Sequence, residues 1–151
     1  MRVSHLLRPA CLEDAEALAR LFVESRLTFV FLNWTYHLPE ILRLFQELVL
    51  PKHEVWVAEQ NGAITGFIAL EGNDLDRLYV RPSYQGLGVG RALLDKAKEL
   101  RPSGMELWVF QENRQARRFY ERNGFTLLFE TDGRDNMEKC PDARYAWKPN
   151  L

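Results

Sequence analysis

Six residues, Gln85-Gly86-Leu87-Gly88-Val89-Gly90, narrow what this chain can fold into more than any other stretch. Leu78, Tyr79 and Val80 before them favour a strand. Arg81-Pro82 ends it, because proline offers no N–H to a ladder and restricts the residue before it. After the last glycine the pattern turns helical, with Val89, Leu93, Ala97 and Leu100 on one face, and ends near Leu100. Strand, glycine turn and helix start together make an anion site. The first N–H groups of a helix lack internal partners and carry the positive end of its dipole. Glycines leave them uncovered to a phosphate or diphosphate. Arg91 adds a cation at the rim.

Two common phosphate loops do not fit. A P-loop needs Gly-Lys-Ser/Thr at the helix start, and here Gly90 is followed by Arg91 and Ala92. A Rossmann turn needs Gly-x-Gly-x-x-Gly, and Arg91 stands at its third glycine position. From these residues alone, a tight turn packed on a helix with no ligand also stays open.

The rest of the chain frames the turn. A first strand is expected over 3–7, stopped by Arg8-Pro9, then a helix over 12–25 with Leu18, Leu21, Phe22 and Ser25 on one stripe. Residues 26–38 crowd aromatics without a clean period. Phe29 and Phe31 read as core, while Trp34, Tyr36 and His37 carry polar handles suited to a substrate wall. Pro39 opens a second helix through Ile41, Leu44, Phe45 and Leu48. Strands over 54–59 and 64–70 flank the hairpin signal Asn61-Gly62, and Gly66 marks a bulge or a close approach. A third strand over 74–80 completes a meander that delivers the glycine turn. The helical crossover to a strand over 105–110 makes those two strands parallel neighbours. A helix over 113–123 closed by Gly124, a strand over 125–131, a long polar loop and a last strand over 143–148 finish the chain.

The glycine stretch matches Gln/Arg-x-x-Gly-x-Gly/Ala, and Asn113-Arg-Gln-Ala116-Arg-Arg-Phe119-Tyr120-Glu-Arg-Asn-Gly124-Phe125 matches a second pattern, Asn-x-x-Ala-x-x-Phe/Leu-Tyr-x-x-x-Gly-Phe. In that order, a helix and a strand apart, the two resemble the signatures of the GNAT N-acetyltransferase superfamily. The layout is similar to its small bacterial members, the YjaB group among them. The resemblance covers about Arg8 to Trp147 and is weakest over 26–52. It implies an α/β (α+β) fold in one domain spanning 1–151. A central mixed, largely antiparallel sheet of about seven strands would splay between strands 4 and 5, flanked by about four helices. It implies acetyl-CoA as co-substrate, with the diphosphate on N–H groups of Gln85, Gly86, Leu87, Gly88, Val89, Gly90 and Arg91. Pantetheine would lie along the backbone of Leu78, Tyr79 and Val80, with Asn113 on its flank. It gives Tyr120 the general-acid role at the leaving sulfur.

Acetyl transfer also requires a neutral amine and a polarised carbonyl. A backbone N–H near Leu78 or Tyr79 suits the oxyanion, and a phenol of ordinary pKa, about 10, is protonated at neutral pH. The base is open. Glu71 is the candidate adopted, beside Asp74, Asp76, His37 and a water chain. The acceptor is a small-molecule or protein amine, and a non-catalytic acyl-CoA-binding module is the alternative. Arg117 is a candidate for a phosphate contact, although the arginines of 114–122 also read as a solvated face.

Composition excludes some classes. Net charge is −1, with 46% hydrophobic and 27% charged residues, and gives no electrostatic footprint for nucleic acid or membrane. Cys11, Cys140 and the three histidines show no metal spacing, so no metal is expected. The apolar start is too short for a signal peptide, and a cytoplasmic monomer or homodimer is expected.

Overall fold

The computed structural model describes residues 5–149. Seven strands form one sheet in the order β1-β2-β3-β4-β5-β7-β6. They are β1 (Leu6–Pro9), β2 (Glu54–Gln60), β3 (Ala63–Glu71), β4 (Asp74–Val80), β5 (Met105–Phe110), β6 (Thr126–Thr131) and β7 (Asp142–Trp147). Every pairing is antiparallel except β4 with β5. Residues 3 and 4 of the expected first strand lie outside the described residues. That strand runs on through Arg8-Pro9 instead of stopping before them, with Pro9 opposite Trp56. An edge strand tolerates proline because its outer side needs no N–H.

Four helices flank the sheet. A 3₁₀ turn (Leu12–Asp14) leads into α1 (Ala15–Arg26). Next, α2 (Leu38–Leu44) continues through a π-helical turn (Phe45–Val49) and a last turn (Leu50–Lys52). The others are α3 (Val89–Leu100) and α4 (Arg114–Arg122). The turn ahead of α1 is fixed from β1: Arg8 donates to Asp14 at 2.9 Å and to Glu59 at 2.8 Å, and Asp14 also accepts from the Cys11 N–H. This anchor stands in for the Ser, Thr or Asp missing at position 11.

The apolar periodicity places each helix. Leu18, Leu21, Phe22, Phe45 and Val49 bury against Val57, Phe67 and Ala69 on one face of the sheet. Val89, Leu93, Leu94 and Ala97 of α3, with Tyr120 of α4, bury against Ile68, Leu70 and Leu107 on the other. Leu93 and Leu94 are fully buried, and each such side chain stabilises the fold by roughly 1.5–3 kcal/mol.

Gly66 is a point of close approach. A Cβ there would stand 2.9 Å from the Tyr79 carbonyl oxygen and 3.0 Å from side-chain carbons of Leu93 and Val89. Only glycine lets β4 and α3 sit this close to β3. Beside it, pairing skips Thr65 between Ala58↔Gly66 and Glu59↔Ile64. A second skip leaves Asp76 unpaired between Ala69↔Arg77 and Leu70↔Leu75, so β4 carries a bulge at Asp76.

Candidate active site

The parallel contact of β4 with β5 consists of one pair, Asp74↔Glu106. Beyond it the strands part, and β4 keeps a ladder only with β3. The main chain of β4 past the bulge is thus a free edge facing a gap. That gap is a cleft of about 720 Å³ lined by both strands, by Arg26 and Phe29 at the end of α1, by Asn113, Ala116 and Tyr120 from α4, and by the loop after β6. The splay expected between the fourth and fifth strands is present.

At the carboxyl end of β4, Pro82–Tyr84 make a short 3₁₀ turn before the glycines. Gly86 and Gly88 take φ of +79° and +88°, a region that side chains resist. Gly88 caps α3 in the left-handed conformation, so the helix begins at Val89, ahead of the start after Gly90 that the sequence pattern suggests. A Cβ on Gly86 would meet nothing within 4 Å, so space beside the turn is open. Gly90 faces inward: a Cβ there would lie 3.4 Å from the Phe119 ring. This contact brings α4 alongside the turn. His5 also reaches the turn, with Nε2 at 3.2 Å from the Leu87 carbonyl oxygen. The sequence reading gave His5 no part, and an isolated histidine carries no signal that would have assigned one.

α4 is aimed by its cap. Asn113 Oδ1 accepts from the Ala116 N–H at 3.2 Å, which leaves its amide NH₂ for the cleft that Asn113 lines. Two turns on, Tyr120 is only 8% exposed and its ring is wedged edge-on between Phe119 and Phe125. Burial first, then the neighbouring Tyr79, push its phenol well above the usual tyrosine range. Tyr120 therefore holds its proton across neutral and mildly alkaline pH.

Leu78 and Tyr79 line the cleft. The Val80 carbonyl is already engaged, accepting from Ser25 Oγ at 3.2 Å and from the Gln85 side chain at 3.3 Å. Arg91 lies on the exposed start of α3, 3.4 Å from Asp95. Glu71 does not line the cleft. It ends β3, and its Oε2 sits 3.2 Å from His53 Nε2. Asp74 pairs with Arg144 at 2.7 Å, whereas Asp76, one residue pair along β4, lines the cleft. Arg117 is held by Tyr145 and Glu130.

The aromatic segment sorts differently from its sequence pattern. Trp34 and His37 are exposed, and the His37 carbonyl receives the first N–H groups of α2. Tyr36 packs edge-on against Phe22 and accepts from Arg26 at 3.2 Å. Phe29, which its apolar character assigns to core packing, lines the cleft and stacks on Phe31.

Sequence reasoning also missed Arg26. Its side chain is 13% exposed and donates to Tyr79, Tyr36 and Glu138 at 2.8, 3.2 and 3.2 Å. Its guanidinium also lies over the rings of Phe22, Phe29 and Phe110. One cation thereby ties α1, the aromatic segment, β4 and the β6–β7 loop around the cleft. At a helix end it reads as an ordinary surface residue, and nothing local announces its burial.

Residues 51–127 match the family described as Acetyltransferase (GNAT) domain. The peptidyl-lysine N-acetyltransferase YjaB of Escherichia coli K12 is 31% identical over 139 residues, 89% of this chain and 91% of that one. The peptidyl-lysine N-acetyltransferase YiaC of the same organism is 30% identical over 128 residues, 82% and 84% of the two chains. The solution structure of apo YjaB superposes with a TM-score of 0.78 at 28% identity, covering 96% of this chain and 98% of that one. A PaiA N-acetyltransferase from Thermoplasma acidophilum, crystallised with coenzyme A, shares the fold at a TM-score of 0.79 and 23% identity, over 97% and 100% of the chains.

Proposed function

The chain belongs to the GNAT acetyltransferase family and is an N-acetyltransferase; on that footing we propose that it uses acetyl-CoA and transfers the acetyl group directly to a lysine side chain of a peptide or protein. The carrying observation is the free edge of β4 beyond Asp74↔Glu106, opening onto a cleft that also holds Tyr120. The residues fit the co-substrate. An extended chain of amides pairs with an unpaired strand edge, and a diphosphate suits open N–H groups at a helix start. The amide NH₂ of Asn113 is free for the pantetheine arm between them. The relatives named peptidyl-lysine N-acetyltransferases point to the acceptor class.

Acetyl-CoA supplies an activated thioester, and the residues of the chain divide the remaining work. Main-chain N–H groups of 86–91 receive the diphosphate. An N–H of Leu78 or Tyr79, turned toward the cleft past the bulge, receives charge developing on the thioester oxygen. Tyr120, protonated and nearly dry, gives its proton to the departing sulfur. Both reactants sit in one cleft, so attack needs no acyl-enzyme intermediate. The test is release of free thiol from acetyl-CoA with poly-L-lysine as acceptor. Thiol released in proportion to acetyl-lysine formed is expected. Coenzyme binding with no transfer to any amine refutes the reading.

A further inference from the structure

A small amine would occupy only the cleft, whereas a lysine within a polypeptide brings its neighbours onto the surface around it. We propose that the acceptor lysine belongs to a positively charged, extended polypeptide segment that lies on the uncovered sheet face around Trp108 and Phe129, an inference that rests on the transfer reaction above.

The two faces of the sheet are covered unequally. Leu107 and Val109 of β5 and Tyr145 of β7 point into the core beneath α3 and α4. By the two-residue period of a strand, Trp108 and Phe110 of β5 and Arg144 of β7 point to the other face, that of α1. There α1 and α2 bury against β2 and β3, and the far strands stay open. Trp108 is 51% exposed and Phe129 49%. Their rings meet edge to face, with centres 5.7 Å apart. Both also line the cleft, so this aromatic surface is continuous with the place of transfer. The glycine turn opens α3 on the opposite face, which leaves the α1 side for the acceptor.

Charge selects the segment that fits. Five carboxylates line the cleft against two guanidiniums. Arg26 holds Glu138 at 3.2 Å and Arg77 holds Asp76 at 2.5 Å, which neutralises both acids. Asp132, Asp135 and Asp142, from the β6–β7 loop and its end, remain in excess. Arg134 pairs with Asp132 at 3.0 Å, but the two side chains are 79% and 61% exposed, and a pair so open to water is worth little. The aromatic face has the same balance. Arg144 lies 5.1 Å from the centre of the Trp108 ring and is shared between Asp74 and Glu106, at 2.7 and 3.0 Å. One cation between two carboxylates leaves negative charge beside the rings.

Lysine and arginine carry an apolar stem under a charged head. Neighbours of the acceptor lysine that are of this kind lay their stems on Trp108 and Phe129 and present their charges to the carboxylates. A cation over an aromatic face gains further from the ring quadrupole. An acidic segment would meet repulsion along the whole rim.

The experiment uses the full chain, acetyl-CoA and thiol release with three acceptors. Two are pentapeptides with one central lysine, flanked by arginines in one and by glutamates in the other. The third is Nα-acetyl-lysine amide, which has no flanks. At low salt the arginine-flanked peptide should exceed the glutamate-flanked one by at least about tenfold in kcat/KM. The gap should narrow as salt rises to about 0.5 M. Phe129→Ala should lower the ratio of the arginine-flanked peptide to the amide by roughly two- to fivefold. Asp135→Asn, a substitution on the exposed loop, should narrow the gap between the peptides by about twofold or more, and keeps the test valid if Phe129→Ala fails to fold. Equal rates on the two peptides, a preference for glutamate flanks, or ratios untouched by both variants overturn the proposal and leave the transfer reaction standing. A dimer at assay concentration that Phe129→Ala dissolves assigns the face to a second copy of the chain and also overturns it. Wild-type enzyme that acetylates neither peptide nor any member of an amine panel overturns the transfer reaction itself.

Discussion

Replacing Tyr120 by phenylalanine removes one oxygen and little else. The ring stays wedged between Phe119 and Phe125, 5.3 and 5.4 Å from their centres, so packing is preserved. Burial, with a smaller contribution from Tyr79, drives the acidity of the hydroxyl down, and no hydrogen bond contributes to that shift. Removing a buried hydroxyl that no protein group satisfies changes stability by about 1 kcal/mol or less. The catalytic loss is of another size. Protonating a departing thiolate is worth roughly 10²–10⁴-fold. At about 1.36 kcal/mol per decade, that is about 3–5 kcal/mol in the barrier. Tyr120→Phe should therefore retain its unfolding midpoint and its coenzyme A affinity while kcat falls by at least about 10²-fold. The raised pKa adds a pH signature: no decline in wild-type kcat from phenol ionisation should appear up to pH 10. Thermal unfolding, titration calorimetry with coenzyme A and thiol release settle the matter together. Activity within about threefold of wild type, with folding intact, would refute the acid role of Tyr120; collapse of coenzyme binding would show a wall residue instead.

Three further outcomes follow from the packing and the electrostatics. Arg26→Met strands the Glu138 carboxylate and releases Tyr79, and removal of one partner from a buried pair typically costs about 3–5 kcal/mol. Urea unfolding should show most of that loss, and adding Glu138→Gln should recover part of it. Gly88→Ala forces a side chain into φ of +88°, costing roughly 1–2 kcal/mol, and should weaken coenzyme A binding beyond the stability loss, as calorimetry would show. Asp14 is held down from 3.8 to about 2, chiefly by its hydrogen bonds to Arg8. Its contribution, on the order of 2 kcal/mol, is complete above the unfolded value and disappears as pH falls through about 2. Acid titration of Asp14→Asn should lack that component.

What the sequence made legible depended on how local the governing physics was. The glycine turn, the helix beginning about Asn113 and the closing Gly124 are decided by residues within a few positions, and the structure places the same elements there. The parallel pairing of β4 with β5 followed from one helical crossover, and Gly66 announced a close approach that the Tyr79 carbonyl supplies. The start of the chain was misread because a proline ends a central strand but not an edge one. Arg26 and His53 were given no role and Phe29 was read as core, because their surroundings come from segments distant in sequence. Arg26 meets Glu138, and His53 meets Asp76 across a bulge that shifts β4 by one residue. Glu71 was singled out for its place at a strand end, but whether it reaches the cleft depends on that bulge and on the histidine between.

A crystal structure with coenzyme A bound is the most direct test of the whole account. The pantetheine should lie along the open edge of β4, with the diphosphate on the N–H groups of 86–91 and the sulfur within hydrogen-bonding reach of the Tyr120 hydroxyl. Coenzyme seated outside the gap between β4 and β5, or a sulfur far from Tyr120, would contradict it.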